Sequence, residues 1–463
     1  MSEERARAGG ASERKTVKQR LDGLRLPLGV LFLAAYAVTS FTSGAPATAV
    51  FLGTGLLLWA LSVPWTSTFH KALALAAFLA LGTDVLSGRF DAGAFFDGLP
   101  AYFNIIAVLL VLSIAGYPIR AERYEAQIRA LLSAMTKSGV GVETTAGALG
   151  HVLGAVLDVG SFVLIDVILR RAAPHERIEA LTWAGRTFSF TPLWSNLNVF
   201  TATTITLTGV SYSGLLAVSL PFVLLGLAAT LFFAQKEKGE VEDASETPLD
   251  RGAAAVLLYP VLLVVAVALV NVLVPELSLT ATIAVTVAAV VILIAGLASI
   301  LLRQSSPLRR LAGETRDSLT SSHAEFALFG SAGILVLSLE GLGALAPIGD
   351  LFTALPPVLV APALAVTITL GFIAGIHVLP LVLLINTAFP LDSGPAPALW
   401  AMAILLGAQP ALLLTPFSNS VTMLARLTGL HPLAIGPKRN WAFCLVLALA
   451  ATVYLGLLTL LLL

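Results

Sequence analysis

Two stretches of this chain are long and apolar enough to cross a bilayer, yet both carry helix-breaking residues, and the interrupting phrase is nearly the same. Thr191-Pro192-Leu193-Trp194-Ser195-Asn196-Leu197-Asn198-Val199 returns as Thr415-Pro416-Phe417-Ser418-Asn419-Ser420-Val421. Proline removes a backbone donor and crowds the preceding turn. In lipid no water replaces the lost bond, so an interruption survives only where protein or a cavity satisfies it. A Gly-rich segment with one histidine precedes each phrase: Gly147-Ala148-Leu149-Gly150-His151, then Gly371-Phe372-Ile373-Ala374-Gly375-Ile376-His377. The histidines lie 226 residues apart, the Thr-Pro pairs 224 and the asparagines 223. Paired interrupted segments at corresponding places in two halves point to the binding site of a secondary transporter.

The class follows from composition. Of 463 residues, 57% are hydrophobic and 12% charged, whereas soluble domains carry about 25% charged residues. Apolar runs of 18 or more residues recur, which predicts an all-α polytopic membrane protein. The formal net charge is zero, so nothing suggests nucleic acid as a partner; the lipid bilayer is the expected one. The single cysteine, Cys444, allows no intramolecular disulfide and fits no metal-site pattern. Residues 1–24 are polar and mixed in charge, and read as a disordered cytoplasmic tail rather than a signal peptide.

Charge placement fixes orientation, because cytoplasmic loops hold Lys and Arg. Spans are expected near 26–43, 46–64, 71–88 and 99–118, with the N-terminus inside. Residues 141–170 leave and return between two basic clusters, which predicts a re-entrant hairpin bent near Gly150–Gly154. A helix broken around Pro192–Asn198 then crosses over 178–209, and 212–234 returns. A cytoplasmic linker, 235–252, joins the first half (25–234) to the second (253–463). There, spans at 253–273, 278–302 and 324–343 lead to a second hairpin, 356–390. A helix broken around Pro410–Ser420 crosses over 396–429, and 441–463 ends outside. Every Lys and Arg except Arg89 and Arg186 then faces the cytoplasm. The reading is about eleven transmembrane helices in two inverted repeats, each with a re-entrant hairpin and a broken helix, in the inner (plasma) membrane.

This arrangement resembles the ion transporter superfamily, which includes divalent anion/sodium symporters, citrate carriers, the arsenite-pump type and sodium/proton antiporters. The resemblance covers about residues 46–463. Divalent anion symporters carry Ser-Asn-Thr once in each half, at the hairpin tips. The nearest matches here are Ser195-Asn196-Leu197 and Ser418-Asn419-Ser420, which fall in the broken helices. A homodimer is what the superfamily implies.

An unwound segment frees carbonyls for a cation and exposes helix N-termini that favour an anion. Ser195, Asn196, Asn198 and Thr201 would serve from one half, and Ser418, Asn419, Ser420 and Thr422 from the other. Such residues also bond helices to one another. His151 and His377 occupy matching places in the two Gly-rich segments. They either take part in binding or proton relay, or hydrogen-bond the hairpin backbone. An intramembrane acid is a functional hypothesis by default. Asp158, read as lying in the second hairpin arm, is either the coupling acid or the partner of Arg186. Asp166 reads as a solvated end residue. Glu340 is the other candidate acid, and Asn104 of the fourth span is placed to face the same cavity.

No Walker, nucleophile-elbow or zinc-protease motif is present, so the chain does not read as an enzyme. No cofactor or metal is implied; the coupling ion is Na⁺ or H⁺. The expected activity is ion-coupled transport of a small organic anion by alternating access. The alternatives are a cation/proton antiporter using Asp158, and a non-transport membrane enzyme or scaffold.

Overall fold

The structure is a computed structural model that describes residues 23–42, 44–120, 139–169, 172–234, 251–301, 306–391 and 396–463. Residues 1–22 of the expected tail and 235–250 of the expected linker lie outside the described residues. Among the described residues every regular element is helical.

The chain begins with α1 (Gly23–Phe41), α2 (Ala45–Ser62) and α3 (Thr68–Leu86). Short α4 (Ala92–Gly98) leads into α5 (Pro100–Ala115) and α6 (Tyr117–Arg120). A pair, α7 (Val142–Leu157) and α8 (Gly160–Ile168), is followed by α9 (Pro174–Phe188), α10 (Val199–Thr208) and α11 (Tyr212–Ala234). Next come α12 (Arg251–Leu273), α13 (Leu279–Leu301), α14 (Ser306–Ser321), α15 (His323–Gly341) and α16 (Ala346–Thr353). The order of the α7–α11 block then recurs: a pair, α17 (Pro357–Ile373) and α18 (Val378–Ala388), then α19 (Pro397–Leu414), α20 (Asn419–Thr428), α21 (Pro432–Ile435) and α22 (Pro437–Leu462).

Nine helical stretches among the described residues are long and apolar enough to cross a membrane. The expected crossing over 178–209 is in two pieces, α9 and α10, and α9 is amphipathic. Of α12, only Leu258–Leu273 is placed among the shorter apolar helices.

The described chain divides into two compact units. One comprises the residues up to Ile114 together with Val291–Ala344. Its core is aromatic: Phe32 stacks on Phe51 at 4.8 Å and meets Phe326 edge-on at 5.3 Å. Helix α15 is the buried centre of this unit, and glycines let rings lie on its backbone. A Cβ at Gly330 would meet the Trp59 ring at 2.6 Å, and one at Gly333 the Tyr102 ring at 2.7 Å.

The other unit, Ala115–Val290 with Leu345–Leu463, holds both copies of the repeated order. In each copy the hairpin's first helix packs along the following broken helix: α7 on α9, and α17 on α19. Apolar association gains nothing from leaving lipid, so these crossings depend on close backbone approach. Gly150 of α7 lies against Ala184 of α9, where a Cβ would come within 2.9 Å of the carbonyl oxygen. In the second copy the small residue sits on the other partner: Gly407 of α19 lies on Ala365 of α17, at 2.5 Å. Ala184 and Gly407 are 223 residues apart, the spacing of Asn196 and Asn419.

These crossings correct the expected hairpin bend. Helix α7 runs unbroken through Gly150–Gly154 because both glycines serve packing; a Cβ at Gly154 would strike the Phe188 ring at 2.5 Å. The chain turns instead at Asp158–Val159, and Asp158 has φ 50°. The second hairpin turns over Ala374–His377, with Gly375 at φ 96°. Measured tip to tip the hairpins are 217 residues apart, so His151 and His377 are not equivalent.

Overpacking a tight crossing costs about 1–3 kcal/mol. Gly407→Val is therefore expected to lower the melting temperature of the purified protein by several degrees, whereas Gly296→Ala, which meets nothing within 4 Å, should leave it unchanged.

Candidate functional site

Both broken helices resume with a capped ten-residue helix. Asn198 caps α10, its Oδ1 accepting from Phe200 N at 3.0 Å, and Ser418 caps α20, its Oγ accepting from Val421 N at 3.1 Å. Gly209 and Gly429 end these helices in left-handed conformation, φ 66° and 71°; a residue without a Cβ is the usual terminator there. Each resumed helix also packs against the hairpin of the other copy: α10 on α18, and α20 on α8. The two repeats are thus interlocked.

The first break, Ser189 to Asn198, is sealed. Ser195, Asn196 and Thr201 are fully buried. Ser195 Oγ donates to Ala155 O at 3.1 Å, Asn196 Nδ2 to Val264 O at 3.1 Å, and Thr201 Oγ1 to Pro192 O. Tyr212 Oη donates to Trp194 O at 2.7 Å. Two buried oxygens, Thr191 Oγ1 and Asn196 Oδ1, make no hydrogen bond among the described residues.

His151 lies in the body of α7 and spans this break. Its Nδ1 lies 3.0 Å from Thr187 O, at the end of α9. Its Nε2 accepts from Trp194 Nε1 at 3.0 Å, inside the break. The two bonds together assign the neutral tautomer with the proton on Nδ1. Thr187 Oγ1 adds a bond to Gly147 O at 2.7 Å. Trp194 and Tyr212 are marked in the sequence only by a polar tip on an aromatic ring in an apolar setting.

The second break, Thr415 to Ser418, is open. Asn419 and Thr422 are exposed and Phe417 is 69% exposed, while Ser418 and Ser420 are buried. Ser418 Oγ donates to Leu412 O at 2.7 Å, and Thr422 Oγ1 to Ser418 O at 2.9 Å. His377 caps α18, accepting from Leu379 N at 3.4 Å. The adjacent tip lies beside this break, since a Cβ at Gly375 would meet the Phe417 ring at 3.6 Å.

The charged candidates separate. Asp158 is an exposed residue at the first hairpin tip, not a buried member of the second arm. It does not pair with Arg186. Arg186 Nε donates to Asn440 Oδ1 at 3.0 Å and Nη2 to Arg439 O at 2.8 Å, with the guanidinium 4.3 Å above the Trp183 ring. The charge is thus satisfied by a buried amide, a carbonyl and a π face. Asp166 is buried and takes Arg177 Nε at 2.6 Å rather than being solvated, and Arg177 Nη2 also reaches Leu427 O at 3.0 Å. Glu340 and Asn104 belong to the other unit, where Glu340 is exposed at the end of α15. Asp84 of that unit is buried against Gly341. Among the described residues no group of three His, Cys, Asp or Glu side chains is arranged to hold a metal.

No family model matches the chain, and no curated protein matches it. A solved structure does: the YdaH transporter of Alcanivorax borkumensis, described as having an unusual topology, superposes with a TM-score of 0.52 at 15% identity. The match covers 84% of this chain and 98% of that one. At this identity the likeness concerns the fold. The chain is an all-α polytopic membrane protein that shares its fold with that structure.

Two expectations follow. Removing His151 leaves Trp194 Nε1 unpaired and takes away one of the two bonds at Thr187 O, which keeps Phe190 N, so His151→Ala should cost about 1–3 kcal/mol. Combining it with Trp194→Phe should cost less than the sum of the two, read as non-additive melting temperatures. Asp158 holds a backbone conformation suited to glycine, and such strain costs about 1–3 kcal/mol; Asp158→Gly should raise the melting temperature.

Proposed function

We propose that this protein is an ion-coupled secondary transporter that moves a small organic anion by alternating access. The observation that carries this reading is the matched pair of interrupted helices, interlocked across the repeats, with one break sealed and the other open. Two breaks that each resume in a capped ten-residue helix but differ in exposure fit a carrier that opens one side at a time. The amide-bearing starts of α10 and α20 suit a carboxylate or a similar group, and the exposed Asn419 adds a neutral donor beside one of them. The fold shared with a transporter supports the class. The cytoplasmic bias of Lys and Arg supports the inverted arrangement.

A second reading, cation/proton antiport through Asp158, is favoured by one feature: this carboxylate is exposed at a hairpin tip and free of Arg186. Asp158→Gly separates the two. Retained gradient-driven uptake excludes Asp158 as the coupling residue; loss of coupling in a folded, stabilised protein supports it.

The site is tested with Asn196→Ala and Asn419→Ala, using a cargo found by thermal-shift screening against carboxylates and inorganic anions. Each variant should reach the membrane folded and transport at least tenfold more slowly. Wild-type rates in both would make the duplicated phrase structural. Topology is tested by cysteines at Ser306 and Asp350 in a Cys444→Ser background. The first should react only from the cytoplasm and the second only from outside; external labelling at Ser306 would overturn the inverted arrangement.

A further inference from the structure

Helix α14 is too polar to cross a bilayer: of its 16 residues, Arg309, Arg310, Glu314, Arg316 and Asp317 are charged. It stands in the chain between α13 and α15, two stretches that are long and apolar enough to cross. Its last turns are docked on its own unit. Leu319 lies on Gly29, near the start of α1, where a Cβ would come within 3.0 Å of Leu319 Cδ2. Ser318 Oγ is 2.6 Å from Ser113 Oγ, near the end of α5. Helix α14 therefore lies along the membrane surface, on the face where α1 begins and α5 ends.

Residues four and seven apart share a side of a helix, which gives α14 three flanks. Leu311, Ser318 and Leu319 form the docked one, and both leucines are buried. Arg310 and Asp317, on another side, are exposed. The third flank is uncovered although it is partly apolar. Leu308 and Ala312 continue the stripe of Leu319 toward the helix start; both are exposed, Leu308 by 42%. Arg309 and Arg316 run beside that stripe and are exposed as well. Among the described residues neither guanidinium makes an ion pair, and the helix's two acids, Glu314 and Asp317, fall on other sides. An apolar stripe edged by basic residues is the pattern of a helix seated at headgroup level. The long Arg stems lie along apolar surface while their heads stay in the polar layer, and a guanidinium fork matches the oxygens of a phosphate.

We propose that this third flank of α14 binds the headgroup of an anionic phospholipid, with Arg309 and Arg316 on the phosphate oxygens and Leu308 and Ala312 against the acyl chains. The occupant is a lipid rather than a soluble anion because the basic pair borders an exposed apolar stripe at the membrane surface, which a free phosphate would leave uncovered. A general surplus of positive charge on this face would not distinguish Arg309 from Arg310. The lipid site does, since these neighbours stand on different flanks. The site lies outside both interrupted helices and is independent of the transport reading.

The test is the melting temperature of the purified full-length protein in detergent micelles. These are doped with phosphatidylglycerol, with phosphatidylcholine of the same acyl chains, or with soluble glycerol 3-phosphate. A ligand bound only to the folded state raises this temperature with occupancy. Phosphatidylglycerol should give a saturable rise that the other two do not. The double variant Arg309→Gln/Arg316→Gln should move its midpoint about tenfold to higher lipid, in keeping with the attraction of two surface arginines to anionic lipid. Arg309→Gln alone should move it part of the way. Arg310→Gln, which removes the same charge from another flank, should leave it in place. All three arginines are exposed, so the variants should fold; if the double variant does not, Arg309→Gln against Arg310→Gln decides. The absence of a rise specific to phosphatidylglycerol overturns the site. So do equal shifts in Arg309→Gln and Arg310→Gln, which would mark unspecific attraction to this face, and an equal rise with glycerol 3-phosphate, which would mark a site for soluble anions.

Discussion

Everything distinctive in this fold depends on how a helix can stop inside a membrane protein. Between Phe188 and Val199 the regular ladder of backbone bonds lapses, and water is not there to replace it. Backbone turns supply some of the missing bonds, and side chains supply others. His151 grips Thr187 O on one side and Trp194 on the other, Ser195 reaches Ala155 O, and Tyr212 reaches Trp194 O. These ties require α7 to lie against α9 at backbone distance, which is why Gly150 and Gly154 face Ala184 and Phe188. The hairpin is thus the structural support of the break, and the break's polar character follows from that support as much as from any ligand.

The same logic explains the unequal copies. The second break is short, and one serine, Ser418, both caps α20 and donates to Leu412 O. His377 instead caps α18 at the hairpin tip. Less bonding leaves more surface, and Phe417 and Asn419 face outward. Two segments of common design therefore differ in how firmly their breaks are closed.

Much of the organisation was legible in the residues. Thr-Pro and Ser-Asn phrases mark the interruptions because they act locally, through a missing N–H and short capping side chains. Gly209 and Gly429 close the resumed helices by the same local chemistry. The partners were not legible. The histidine spacing suggested an equivalence that the tips at Asp158 and Gly375 remove, because a Gly-rich run serves a bend and a helix crossing equally well. Arg186 looked destined for Asp158 on charge alone, yet a buried guanidinium is also satisfied by an amide, a carbonyl and an indole face. Such pairings depend on contacts between distant segments, which periodicity and propensity do not encode.

We propose that the two breaks are alternately accessible parts of one carrier site. This is tested most directly by labelling rates of single cysteines, Ser195→Cys and Phe417→Cys in a Cys444→Ser background, in membranes of known orientation with and without Na⁺ and bound cargo. Conditions that slow reaction at 417 should speed it at 195, from the opposite side of the membrane. Rates that stay fixed, or that rise and fall together from one side, would contradict it.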